Sequence, residues 1–204
     1  MQNHQKPRGN YLEKSRLEAF SDGVFAIVIT LLILDIRLPE VDYSHLKPAL
    51  ISILPKLLAY VMSFAVIGLY WISHHYSFSF LKKTDGTILW MNLFLLLLIS
   101  FIPFPTSLLG KYPFGKIPLI VYGATLMITN LTGFLMWIYL NKHRNIAADH
   151  FTDADFREQL PSYLFVNLSY LLAIILACFL PAVSYAIYII VIAILIVRLA
   201  KRIR

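Results

Sequence analysis

Charge is scarce in this chain: 14% of its 204 residues are Asp, Glu, Lys or Arg, against 59% hydrophobic, and the mean hydropathy is +0.71. A soluble domain is roughly 45–50% apolar and about 25% charged. A chain of this size folded in water has too little interior to hide the difference, so a water-soluble globule is excluded and lipid is implied. Cysteine is nearly absent. Cys178 stands alone inside an apolar run, which excludes an internal disulfide and a Cys-rich metal site. The net charge of +7 comes without any stripe of basic residues interleaved with aromatics, so nucleic acid is not an expected partner. Also missing is an apolar core in Met1–Gly9, and no cleavable signal peptide is expected.

What the chain does have is apolar runs near the roughly 20 residues that a spanning helix needs. Six occur: Arg16–Leu38, about Leu57–Tyr76, Thr87–Phe104, Ile117–Leu140, Pro161–Leu180 and Ala182–Leu199. The predicted fold is an all-α integral membrane protein with six transmembrane helices. A segment 1–15 precedes a transmembrane domain 16–199, and a basic tail 200–204 follows. Asp85-Gly86 marks a turn before the third run, and Pro103 and Pro105 mark its far end. Pro118 and Pro161 suit first-turn helix positions, which leave a donor unpaired in any case. Pro181 separates the last two runs so closely that an antiparallel hairpin is predicted, whereas Pro55 leaves open a second helix starting near Pro48 and bending. Thr152 to Asp155 fits a capping box, with Phe156–Leu160 as an interfacial lead-in to the fifth helix.

Lys and Arg distribute unevenly between the two sides this order creates. One side takes thirteen of the 18, in the groups Lys6 to Arg16, Lys82 and Lys83, Lys142 to Arg157, and Arg198 to Arg204. The other holds Arg37, Lys47, Lys56, Lys111 and Lys116. The bias predicts both termini in the cytoplasm of a multi-pass protein of the cell membrane, and an even helix count agrees. The tail Arg198–Arg204 suits an anchor to anionic headgroups, with a regulatory patch as the alternative.

The first run differs from the rest. It opens on Arg16, Phe20, Ser21 and Asp22 and closes on Asp35 and Arg37; only Gly23–Leu34 is free of ionisable groups, about 18 Å of helix. Either Asp22 lies within the membrane's inner edge in protein or water-filled surroundings, or it is a helix-start carboxylate near the headgroups. Helical phase puts Ile27, Leu31, Leu34 and Leu38 on one stripe with Thr30 on its flank, while Ser21 and Asp22 lie about 120° and 140° away. Periodicity does not distinguish a pore wall from lipid-facing or core packing.

Among the other polar residues, adjacent His74 and His75 point about 100° apart, against one shared metal. A hydrogen-bonded structural role and a proton-sensing role stay open for them. Asn92, Asn130 and Asn167 are candidates for bonds between helices, and Trp90 and Trp137 for interfacial anchors. Asp35 suits either attraction of cations to an outer mouth or a pair with Arg37.

These residues carry a resemblance. Arg16-x-x-x-Phe20-Ser21-Asp22 followed by Gly23 to Asp35, Tyr70-Trp71-Ile-Ser-His74-His75, and Asn92 with Phe101-Ile-Pro103-Phe104-Pro105-Thr106 resemble, in order, three helix signatures of the lysosomal potassium channel family (transmembrane protein 175) in its prokaryotic form. The resemblance implies a potassium-permeable cation channel, not an enzyme. Animal members carry two six-helix repeats, whereas one Phe-Ser-Asp motif here implies a homotetramer with four first helices around a central pore. It maps a hydrophobic constriction onto Ile27, Leu31 and Leu34 and a threonine layer onto Thr30. It also implies a supporting network of Arg16, Phe20, Ser21, Asp22, Trp71, His74 or His75, and Asn92. The expected partners are the lipid bilayer, further copies of the chain, and K⁺ with other monovalent cations as permeant ions; no cofactor or resident metal is expected.

Physical chemistry gives that constriction a mode of action. A Thr-Val-Gly-Tyr-Gly carbonyl filter is absent from the chain. Discrimination must then come from partial dehydration at an aliphatic ring, which penalises Na⁺ more than K⁺ because the smaller ion holds its water more tightly. The alternative is a proton-coupled secondary transporter using Asp22 and the histidines, although the two three-helix halves show no matching interruptions. A membrane-embedded enzyme lacks a nucleophile and base at readable spacing.

Overall fold

The structure, a computed structural model, describes residues 13–203; Lys6, Arg8, most of the predicted 1–15 segment and Arg204 lie outside the described residues. Six helical stretches are long and apolar enough to cross a membrane: Lys14–Asp35, Leu54–Ser79, Gly86–Lys111, Lys116–Lys142, Asp153–Ala177 and Pro181–Lys201. The predicted class and span number stand, while several boundaries move.

The first span is an α-helix, α1 (Lys14–Leu31), closed by a 3₁₀ turn at Leu32–Asp35. Leu38 therefore falls outside the helix, and the predicted stripe loses its last member. A short helix α2 (Leu46–Ser52) precedes α3 (Leu54–Ser79), with the break at Ile53 in front of Pro55. The bend left open by the sequence is real and sits there.

Pro103 does not end the third span, as its sequence suggests; it divides it. Helix α4 (Gly86–Phe101) is followed after Ile102 by α5 (Pro103–Lys111). Pro103 and Pro105 remove two ladder donors and bend the rod. Ile102 keeps helical dihedrals, and its carbonyl accepts both the Thr106 amide at 3.1 Å and the Thr106 hydroxyl at 2.8 Å. The Ile99 carbonyl, which Pro103 leaves without its usual donor, accepts the Ile102 amide at 3.1 Å instead, and the span runs on past Pro103.

Helix α6 (Lys116–Lys142) has Pro118 in its first turn, as expected. In α7 (Asp153–Ala177) the capping box of Thr152 and Asp155 is present, but it starts the helix itself. Pro161 is consequently interior, and Phe156–Leu160 belong to the same helix instead of a separate lead-in. Once the cap has satisfied the first donors, the missing proline donor near the span's end does not stop propagation. Three residues, Cys178 to Leu180, join α7 to α8 (Pro181–Ile203), and the two helices pack as the expected hairpin. Cys178 is exposed at that joint.

Helices α6, α7 and α8 pack on one another, α3 packs on α5 and α8, and α1 sits at the edge against α3 and α4. At the basic end of the bundle two loops are tied together. The Lys82 amide donates to Ile146 O at 2.8 Å, the Ala148 amide to Phe80 O at 2.7 Å, and Lys82 Nζ to the Asp149 carboxylate at 2.8 and 2.9 Å. The Lys82 hydrogen bond and charge hold the Asp149 carboxyl below its ordinary range. Trp137 is buried under this latch against Phe80 and Phe151, so it is a core residue and not the interfacial anchor its sequence suggests. Trp90 is exposed, as an anchor requires.

Candidate functional site

Helix α1 divides its side chains between two faces. Leu17, Ser21, Phe25, Val28 and Leu32 recur at three- and four-residue steps and are buried against α3 and α4. On the other side Phe20, Ile27, Thr30, Leu31 and Leu34 are open, with Ile27 60% and Leu34 61% exposed. In a membrane helix such an uncovered aliphatic face meets either lipid or a further copy of the chain.

The buried face carries a polar chain across three helices. Ser21 Oγ donates to Leu17 O at 2.8 Å, which commits its one hydrogen. Its lone pairs accept from Asn92 Nδ2 of α4 at 3.0 Å. Asn92 thus has its amide nitrogen toward Ser21 and its Oδ1 toward His74 Nε2 of α3 at 2.8 Å, so Nε2 is the donor. All three residues are buried. The His74 ring stacks on Phe78 with centroids 4.1 Å apart and tilts against Phe25 at 5.6 Å, so aromatic contacts fix its orientation. Buried polar groups paired on every side specify one arrangement of the helices they join.

One residue further round, Asp22 is exposed and its Oδ1 accepts the Trp71 indole N–H at 2.8 Å. His75 does not join the Asn92 network; it is exposed, with its ring 6.0 Å from that of Trp71. Arg16 and Phe20 are not drawn in either. Both are exposed on α1, and among the described residues the Arg16 guanidinium has no hydrogen-bond or ion-pair partner. Asp35 and Arg37 are both exposed and make no ion pair with each other.

Thr30 shows a second committed hydroxyl. Its Oγ1 lies 2.8 Å from Ile27 O and 3.1 Å from Ala26 O, so its hydrogen points back into the helix and its lone pairs face outward. An oxygen in that state accepts from water or coordinates a cation. Among the described residues no group of three or more His, Cys, Asp or Glu is placed to hold a metal ion.

Phe25 is a site residue that sequence reasoning passed over, although its place four residues after Ser21 is the signal. A second buried chain, Thr106 Oγ1 to Ser63 Oγ at 2.7 Å and Ser63 Oγ to Tyr122 Oη at 3.1 Å, links α5, α3 and α6 beside the proline break. It was equally unmarked. Of the asparagines, Asn130 does reach another helix, with Nδ2 3.4 Å from Tyr163 O. Asn167 bonds Tyr163 O of its own helix instead, at 2.9 Å.

The family model described as endosomal/lysosomal potassium channel TMEM175 matches residues 16–103, the stretch holding the network. A protein named potassium channel from Chryseobacterium sp. (strain P1-3) is 44% identical over 119 residues, covering 58% of this chain and 60% of that one. The endosomal/lysosomal proton channel TMEM175 of Mus musculus is 32% identical over 195 residues, covering 87% of this chain and 39% of that one. The crystal structure of a lysosomal potassium-selective channel TMEM175 homolog from Chamaesiphon minutus superposes with a TM-score of 0.81 at 32% identity, covering 91% of this chain and 97% of that chain.

Proposed function

The chain belongs to the TMEM175 family of endosomal/lysosomal potassium channels, a family of ion channels and not of enzymes, and on that premise we propose that it is a potassium-permeable cation channel. Residues 16–199 form the conducting unit, four copies assemble around one axis, and α1 of each copy faces that axis. The basic end of the bundle, with both termini, faces the cytoplasm of the cell membrane. The observation that carries this reading is the open face of α1. Phe20, Ile27, Leu31 and Leu34 remain uncovered, while the opposite face is fixed by the Ser21–Asn92–His74 chain.

In this reading Ile27 is the narrowest ring and serves as filter and gate, Leu31 and Leu34 extend the constriction, and Thr30 offers an outward oxygen between them. Partial dehydration at Ile27 favours K⁺ over Na⁺, and an aliphatic ring also closes by dewetting. Ser21, Asp22, Trp71, His74 and Asn92 hold α1 in place without touching the ions; Arg16 and Phe20 serve the contacts made on assembly, while His75 lines a cavity between α3, α7 and α8.

Relatives from animals are named proton channels, which gives a second permeant ion to test. Between Asp22 and Asp35 the helix has no ionisable side chain, so protons would have to cross on water through the same constriction. Purified protein in K⁺-loaded vesicles settles the matter, with K⁺, Na⁺ and H⁺ fluxes compared for the wild type, Ile27→Ala and Ile27→Asn. Electrodiffusive K⁺ flux is expected, with the K⁺ over Na⁺ preference reduced in both variants. An unchanged preference in both would remove Ile27 from the filter, and saturating proton-coupled exchange would make the protein a transporter.

A further inference from the structure

A cavity of about 450 Å³ opens between α3, α6, α7 and α8, and α1 contributes none of its wall. Its volume falls in the roughly 300–1,000 Å³ range of ligand sites. Along α3 its wall runs from Val66 to Ser79, about 20 Å of helix, or close to two thirds of a bilayer core of roughly 30 Å. The cavity is therefore long and runs along α3.

Its two ends differ in chemistry. The deep end is walled by Val66, Leu69, Val166 and Tyr170, and the Tyr70 hydroxyl there is already donated to Leu126 O at 2.7 Å. At the other end come Gln159 and Ser162 from the early turns of α7, and Arg198 from near the end of α8. Arg198 is exposed, and its guanidinium lies 5.1 Å over the Phe165 ring. Among the described residues it has no carboxylate partner. The aromatic face fixes the cation while leaving its planar donors free for a bidentate acceptor. Of the acidic groups at this end of the bundle, Asp149 pairs with Lys82 and Asp153 with Arg144, and Glu158 is engaged as well.

We propose that this cavity is a binding site for one membrane phospholipid with an anionic headgroup. The headgroup phosphate rests on Arg198, with Gln159 and Ser162 beside it, and an acyl chain descends between α3 and α7 toward Val66 and Tyr170. A soluble phosphate would leave the apolar depth empty, and a zwitterionic lipid would bring its own cation against Arg198. The lipid bridges the α7–α8 hairpin and α3, the helix that carries Trp71 and His74, so its occupancy is sensed by the helix that supports α1. The proposal does not depend on which ion the protein conducts.

The test uses the full chain reconstituted in vesicles of equal phosphatidylglycerol and phosphatidylcholine, then extracted in mild detergent and weighed with its retained lipids by native mass spectrometry. The wild type is expected to retain phosphatidylglycerol with about a fivefold preference, the factor that one arginine contributes toward an anionic lipid. Arg198→Gln should bring the preference to about one, and Ser162→Trp, which fills the mouth, should reduce retention of both lipids. Equal preference in the wild type and Arg198→Gln overturns the proposal. So does displacement of the lipid by inorganic phosphate alone, which would mark a phosphate pocket. Arg198 is exposed, so Arg198→Gln decides the question even where Ser162→Trp does not assemble.

Discussion

Asn92→Leu removes in one substitution the acceptor for His74 and the donor to Ser21, at a side chain that is wholly buried and of nearly the same volume as leucine. Hydrogen bonds between membrane helices contribute about 0.6 kcal/mol on average and about 1.7 at most, so two lost bonds cost about 1–3 kcal/mol. The stranded His74 Nε2–H, shut between Phe25 and Phe78, adds about 1–3 kcal/mol more. Ser21 is not stranded, because its hydrogen stays on Leu17 O. His74→Phe keeps the ring contacts with Phe25 and Phe78 but strands Asn92 Oδ1, again at about 1–3 kcal/mol. In the double variant neither polar partner is left at the bond between them. Its destabilisation should fall short of the sum of the two single effects by about 1–3 kcal/mol. Unfolding of the four proteins in mixed micelles titrated with dodecyl sulfate, followed by far-ultraviolet circular dichroism, measures the cycle. Additivity within about 0.5 kcal/mol would refute the coupling.

Three further outcomes are expected elsewhere. A methyl at Gly123 would collide with the Tyr188 hydroxyl and lie 2.9 Å from Ile174 Cγ1, so Gly123→Ala should lower stability by about 1–3 kcal/mol in the same titration; a neutral result would mean the α6–α8 contact is looser than described. Gly23 has open space around its Cβ position and lies on the uncovered face of α1, so Gly23→Leu should not destabilise the isolated chain and gains up to about 1 kcal/mol of helix propensity, yet should reduce K⁺ flux in vesicles if four α1 helices meet there. The Asp149 carboxyl is held below its ordinary value of 3.8 by Lys82. A depressed folded-state pKa means that the pair's contribution is complete above the unfolded value and is lost only as pH falls through the folded one. Protection of the Lys82 and Ala148 amides, relative to their intrinsic exchange at each pH, should therefore hold from neutral pH down to about that ordinary carboxylate value and fall below it; a fall already near pH 6 would point to another group.

Span number and class were legible because lipid demands long apolar runs and leaves charge between them. Boundaries at proline were not. Pro103 and Pro161 look like ends because each lacks a donor, but what decides is whether the vacant carbonyl finds another partner. At Pro103 the Ile99 carbonyl takes the Ile102 amide instead, and the Thr152 cap had already started α7 eight residues before Pro161. Trp137 was misjudged for a related reason: composition marks tryptophan as amphipathic, whereas its burial depends on loops 80–85 and 143–152 meeting over it. In the candidate site, phase arithmetic on α1 separated the Ile27 stripe from the Ser21 face, and burial divides them at the same line. The partners of each residue came from other helices, and periodicity along one helix holds no information about those.

The Phe20-Ser21-Asp22 triplet shows why three dissimilar residues stand side by side. Successive helical positions turn by about 100°, so three in a row address three different surroundings. Ser21 points inward, where only a small residue that can satisfy itself on Leu17 O fits against Asn92 of α4. Asp22 points to the rim, where an exposed carboxylate keeps solvent or headgroup contact while holding the Trp71 indole of α3. Phe20 points to the uncovered face, beside the stripe that Ile27 and Leu31 continue. A shift of the helix by one residue would place the carboxylate in the Asn92 pocket and the hydroxyl on the uncovered face, leaving a charge without compensation in the core. The triplet therefore fixes the rotation of α1 about its axis. That rotation determines which aliphatic residues stand on the open side, so the buried polar chain sets the face on which any constriction must be built.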